Sequence, residues 1–140
     1  MKSGTTLIRL RKWRVDEIRQ QLTELDKRRA ALLATIEHLD VELGLEAIQA
    51  EGSLEAGMTF PSYLTKVKAH REACERDIIE IDGHVRTVTT ALQEAFQDLK
   101  RVEIVEENRA KRLHIEEKHR IQSELDAIAI QGHHRKRSAD

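Results

Sequence analysis

The chain has 140 residues, of which 35% are charged and 3% aromatic, with one proline and six glycines. Compact cores draw much of their buried area from aromatic rings and carry less charge, so this composition excludes an ordinary globular domain. The 24 basic and 25 acidic residues nearly cancel, which leaves no overall field to favour nucleic acid or a membrane surface. High charge with few aliphatics would mean disorder, but here the aliphatics recur with a period.

The N-terminal segment shows no signal peptide, because Leu7, Ile8 and Leu10 are interrupted by Arg9 and Arg11. Around it, Leu7, Leu10 and Trp13 form a stripe three apart, flanked by Arg11 and Arg14, and Trp13 falls opposite the seam set by Ile8 and Val15. An exposed tryptophan among arginines has the composition of a binding hot spot. The alternative is that Trp13 packs on the second helix. Thr5 or Thr6 is placed as the cap of the first helix.

A seven-residue repeat follows: Val15, Ile18, Leu22, Leu25, Leu32, Ile36, Leu39 and Leu43, interrupted only by Arg29. It predicts a first helix over about 6–51. Gly52, Ser53, Gly57, Phe60 and Pro61 then predict a turn over 52–60, with Thr59 capping the next helix. Leu45, Ile48, Phe60 and Tyr63 surround that turn, either closing the bundle or offering a weaker second binding surface. So short a connection makes the helices antiparallel.

The second repeat comprises Leu64, Val67, Cys74, Ile78, Ile81, Val85, Val88, Leu92, Ala95, Leu99 and Val102, with Arg71 as its exception. It predicts a helix over about 62–131, continuous through Gly83 because the phase is unbroken there. The seam fails after Val102, at Glu106, Arg109, Leu113, Glu116 and Arg120. The end of this helix therefore overhangs its partner by roughly 35 Å. Glu and Lys/Arg at three- and four-residue spacing support an exposed helix there. Arg109, Arg112 and Leu113 join Leu7, Leu10, Arg11, Trp13 and Arg14 as the candidate contact surface at the open end. The tail over 132–140, with His133, His134, Arg135, Lys136 and Arg137, reads as basic and disordered.

The fold class is thus all-α: a long antiparallel two-helix coiled coil, one domain over 1–140, with the second helix overhanging. The sequence contains no phosphate loop and no nucleophile constellation. His114 and His119 are five apart, on different faces, where a zinc protease helix needs four. His70 and Cys74 are four apart, yet two ligands make no structural metal site, and Cys74 belongs to the seam. No cofactor and no enzymatic activity are expected. A single cysteine and the lack of an apolar span point to the cytoplasm.

The opening Leu7-Ile8-Arg9-Leu10-Arg11-Lys12-Trp13-Arg14-Val15-Asp16-Glu17, the long heptad hairpin, and the charged Lys100-Arg101-Val102-Glu103-Ile104-Val105-Glu106-Glu107-Asn108-Arg109-Ala110-Lys111-Arg112 together resemble the FliJ family of flagellar export proteins. The resemblance implies a cytoplasmic component of the flagellar type III export apparatus, peripheral to the inner membrane, similar in fold to the central stalk subunit of rotary ATPases. It implies as partners the hexameric export ATPase, the cytoplasmic domain of the export gate and the export chaperones. By the stalk analogy the open end would enter the ATPase ring and the turn would face the gate. Two other classes remain: a structural coiled coil of an unrelated complex, and a nucleic-acid-binding arm using residues 9–14 and 133–137.

Overall fold

The computed structural model describes residues 2–139, all but the linking Ser53 in two helices: α1 (Lys2–Gly52) and α2 (Leu54–Ala139). The two helices pack against each other as an antiparallel coiled coil, and no strand occurs among the described residues. The chain divides into two compact units. One holds residues 12–96; the other holds 1–11 together with 97–140.

In the 12–96 unit the heptad positions form the core. Val15, Ile18, Leu39, Val67, Cys74, Ile78, Ile81 and Ala95 are buried, and Leu22, Leu25, Leu32, Ile36, Leu43, Leu64, Val85, Val88 and Leu92 are half-buried. A narrow seam explains why so few side chains are fully enclosed, since each helix has only one neighbour to cover it. Both seam arginines cross to the other helix. Arg29 Nε donates to Asp82 Oδ1 at 2.8 Å, and Arg71 Nε to Asp40 Oδ1 at 3.0 Å, while Arg71 also meets Glu75. Each arginine lays its stem in the seam and keeps its head at the rim. The carboxylate partner, first through its hydrogen bond and then through its charge, raises the pKa of each guanidinium above its ordinary value.

The turn is tighter than the sequence predicts. α1 runs to Gly52, α2 starts at Leu54, and Ser53 alone lies between them. Ser53 caps α2: its Oγ accepts from the Ala56 N–H at 3.4 Å, and its carbonyl accepts from the Gly57 N–H at 3.0 Å. This is the side-chain bond to the third helical residue that defines a serine cap, with Glu55 adding an acid to the first turn. Thr59, expected as the cap, is inside the helix and returns its hydroxyl to the Glu55 and Ala56 carbonyls. Pro61 is likewise interior; its missing N–H leaves the carbonyl four residues back without its helical donor. Gly57 matters for proximity, since a Cβ there would come within 3.1 Å of the Ala50 carbonyl of α1.

α2 passes through Gly83 without a break, as the unbroken phase predicts. A Cβ at Gly83 would meet only the Arg86 guanidinium, at 3.9 Å, so no contact requires glycine there.

In the other unit, Ile8 packs at the seam with Leu99 and Val102, all half-buried. Gly4 lies against Glu106, where a Cβ would collide with the carboxyl group. That juxtaposition places the first turn of α1 beside 106, where the seam of apolar residues ends. Thr5 and Thr6, expected as caps, stand within α1, which begins at Lys2. Beyond Glu106 every side chain from 107 to 137 is exposed, a single helix of about 45 Å. It is longer than the sequence predicts, because residues 132–139 continue the helix where a disordered tail is expected; Asp140 lies outside the described residues. Same-helix pairs line this unit's α2 segment: Arg101 with Asp98 at 3.4 Å, Lys111 with Glu107 at 3.4 Å, and Arg120 with Glu117 at 3.7 Å.

Candidate functional site

Where a side chain stands relative to the seam decides what it can offer a partner. In the 12–96 unit, Trp13 is 61% exposed, off the seam formed by Val15 and Ile18. Arg14 reaches along the helix to Glu17 at 3.2 Å in an exposed ion pair.

In the unit of 1–11 and 97–140, Leu7 and Leu10 are exposed, as are Arg109, Arg112 and Leu113. Arg11 differs from its neighbours. It is half-buried, three residues after Ile8 in the seam phase, and its Nε is sheltered without a hydrogen-bond partner. A buried donor left in that state costs free energy that an incoming acceptor would recover. Arg109, Arg112 and Leu113 stand past the first turn of α1, which Gly4 fixes beside Glu106. The structure therefore does not pack them against Leu7 and Leu10; it sets them on the uncovered helix beyond.

That uncovered helix carries an apolar stripe that lies outside the seam phase. Ile121, Leu125 and Ile128 are four and three apart, on one face, and all are exposed. The signal was in the sequence, but in a phase different from Leu99 and Val102. The seam phase itself continues through 109, 113, 116 and 120, where it is mostly charged.

At the turn, the structure separates four residues that the sequence groups together. Phe60 and Tyr63 are half-buried and help close the hairpin, whereas Leu45 and Ile48, 58% and 68% exposed, face away from α2. Burial first, and then the nearby Glu42 and Glu46 carboxylates, raise the pKa of the Tyr63 phenol above its ordinary 10.0. Leu54 and Met58 are also exposed, on the outer side of α2.

Chemistry-bearing groups are scattered. Cys74 is a free thiol buried in the seam, His70 is exposed, and no group of three or more metal-ligating side chains gathers among the described residues. Depressions beside Leu25, Arg28, His84 and Val88 are open grooves along the helix pair. Among the described residues, no helix is long and apolar enough to cross a membrane.

The chain is an all-α pair of antiparallel helices that leaves large apolar side chains on exposed faces. The family model described as "Flagellar FliJ protein" matches residues 1–138. A protein named "Flagellar FliJ protein" from Caulobacter vibrioides (strain NA1000 / CB15N) is 32% identical over 106 residues, which span 76% of this chain and 76% of that protein. Its namesake from the strain ATCC 19089 / CIP 103742 / CB 15 matches to the same extent. No solved structure matches the chain. The chain belongs to the FliJ family and is a flagellar, export-related protein.

Proposed function

We propose that the chain is a stalk-like coupling element of the flagellar type III export apparatus, working in the cytoplasm next to the inner membrane. In this reading it performs no chemistry itself. It joins the hexameric export ATPase to the cytoplasmic domain of the export gate, and it serves as a station for export chaperones. The observation that carries the reading is the helix over 107–137, exposed throughout and yet furnished with the apolar stripe Ile121, Leu125 and Ile128. A helix that needed only to be solvated would gain nothing from three large aliphatics on one face, and such a face suits insertion between the subunits of a ring.

The ATPase contact comprises that helix with Arg109, Arg112 and Leu113, and the start of α1 with Leu7, Leu10 and Arg11. Trp13 and Arg14, further along α1, supply an aromatic anchor and a charge. The turn end, with Leu45, Ile48, Phe60 and Tyr63, is assigned to the gate. The test is to mix the purified chain with the export ATPase and follow hydrolysis. A changed rate or ring assembly, lost on deleting 107–140, is expected; an unchanged rate with no co-sedimentation would refute the coupling role.

A further inference from the structure

The turn end has a charge pattern found nowhere else in the chain. Between His38 and Lys66 there is no lysine, arginine or histidine, while Asp40, Glu42, Glu46, Glu51 and Glu55 all fall there. In a sequence whose charges otherwise balance, this stretch carries acids alone, the next bases along α2 being Lys66 and Lys68. Asp40 is held by Arg71, and Glu42 stands 3.0 Å from His38. Glu46, Glu51 and Glu55 are exposed, with no lysine or arginine in this stretch to neutralise them.

The same stretch of α1 carries an apolar stripe on its outer face. Val41, Leu45 and Ile48 recur four and three apart, and each is more than half exposed. At 3.6 residues per turn they fall opposite the seam residues Leu39 and Leu43. Glu42 then lies along one edge of the stripe, and Asp40 and Glu51 along the other, while Glu46, seven residues after Leu39, keeps the seam phase. Uncovered apolar rows rimmed by charge mark docking surfaces, and an apolar row with acids on both rims fits an occupant of matching pattern and opposite charge. A second copy of the chain presents the same acids to this face and would be repelled.

We infer that the outer face of α1 at the turn end, built on Val41, Leu45 and Ile48, docks a basic amphipathic helix of a partner protein. The apolar row of that helix lies on the stripe, and its flanking lysines or arginines meet Glu42 and Glu51. The inference rests on the assignment of the turn end to a second partner and adds the chemistry of that partner.

The test titrates the full-length chain into fluorescently labelled synthetic helical peptides and reads anisotropy at low and high salt. One peptide has leucines three and four apart with lysine flanks; a second replaces the lysines by glutamate; a third replaces the leucines by serine. Saturable binding of the first alone, weakening with salt, is expected. Ile48→Glu or Leu45→Glu weakens it by about tenfold or more, and Glu42→Lys with Glu51→Lys transfers preference to the glutamate peptide. Equal binding of the serine peptide, indifference to Ile48→Glu, or absence of binding would overturn the inference. So would a wild-type dimer in sedimentation that Ile48→Glu converts to monomer, since a second copy would then own the face. A gate domain captured equally by wild type and Ile48→Glu, with the peptides silent, overturns the inference and leaves the coupling role intact. Peptide binding as expected, with no capture of the gate domain, sustains the inference and refutes that assignment of the turn.

Discussion

Arg29 of α1 and Asp82 of α2 face one another across the seam at 2.8 Å, and eleven residues further along α1 the pairing recurs with the roles exchanged, Asp40 accepting from Arg71 of α2. Eleven steps forward on one helix match eleven steps back on the other, as antiparallel register requires. Both pairs sit at the rim, where an ion pair adds little to stability; what they contribute is register. A slip of either helix by one turn would separate both carboxylates from their guanidinium groups.

Charge reversal tests this register role. Arg29→Glu opposite Asp82 is expected to lower the unfolding midpoint, and Asp82→Arg in the same chain to restore most of the loss. A double variant no more stable than Arg29→Glu alone would show that the pair does not set register. Thermal circular dichroism at moderate salt provides the measurement.

The seam itself responds far more strongly. Ile81 is buried among heptad neighbours, so Ile81→Asp places an unpaired carboxylate there and is expected to cost roughly 3 kcal/mol or more. Leu25 is half-buried, and Leu25→Asp is expected to cost less because its carboxylate can reach water. Urea titration followed by helical ellipticity would reverse this ranking if the core lay elsewhere.

Gly83→Ala runs the other way. The helix is continuous there and the added methyl meets only the far end of Arg86. A gain of roughly 1 kcal/mol in unfolding free energy is expected from propensity alone. A loss would mean that α2 hinges at this glycine.

Tyr63 reports on the turn end through pH. Its raised pKa means that the folded chain holds the phenolic proton more tightly than the unfolded chain does. Stability on this account is complete below the ordinary value of 10.0 and declines as pH rises through the raised folded value. Absorbance titration of the phenolate should show a midpoint above 10.0 in the native protein, moving down in Glu42→Gln with Glu46→Gln. A native midpoint equal to that in denaturant would contradict the burial and the acidic surroundings.

Trp13→Ala tests the contact assigned to the ATPase. The side chain is largely exposed, so helicity should be unchanged while ATPase binding weakens by on the order of 1–2 kcal/mol. Deleting 107–140 should weaken binding further and leave the unfolding of the hairpin intact. Wild-type binding in both variants, with loss on altering Phe60 and Tyr63, would reverse the polarity assigned to the molecule.

The sequence by itself determined the helices, the seam and its register. Heptad period and phase follow from local geometry, and every predicted seam residue from Val15 to Val102 is buried or half-buried. It also determined the overhang, because the loss of apolar residues at Glu106 and Arg109 is itself local information. The turn was decided by tertiary structure. Glycine and proline mark a break within a range, but the approach of Gly57 to the Ala50 carbonyl depends on how two helices meet, and Ser53 caps α2 only once they have met. The candidate surfaces divide in the same way. An exposed Trp13 was legible as a residue out of phase with its seam. That Arg11 turns inward, that Leu45 and Ile48 part from Phe60 and Tyr63, and that Ile121, Leu125 and Ile128 have nothing to cover them depends on which faces a neighbouring helix occupies. Periodicity gives the face of a residue; only packing tells whether that face is taken.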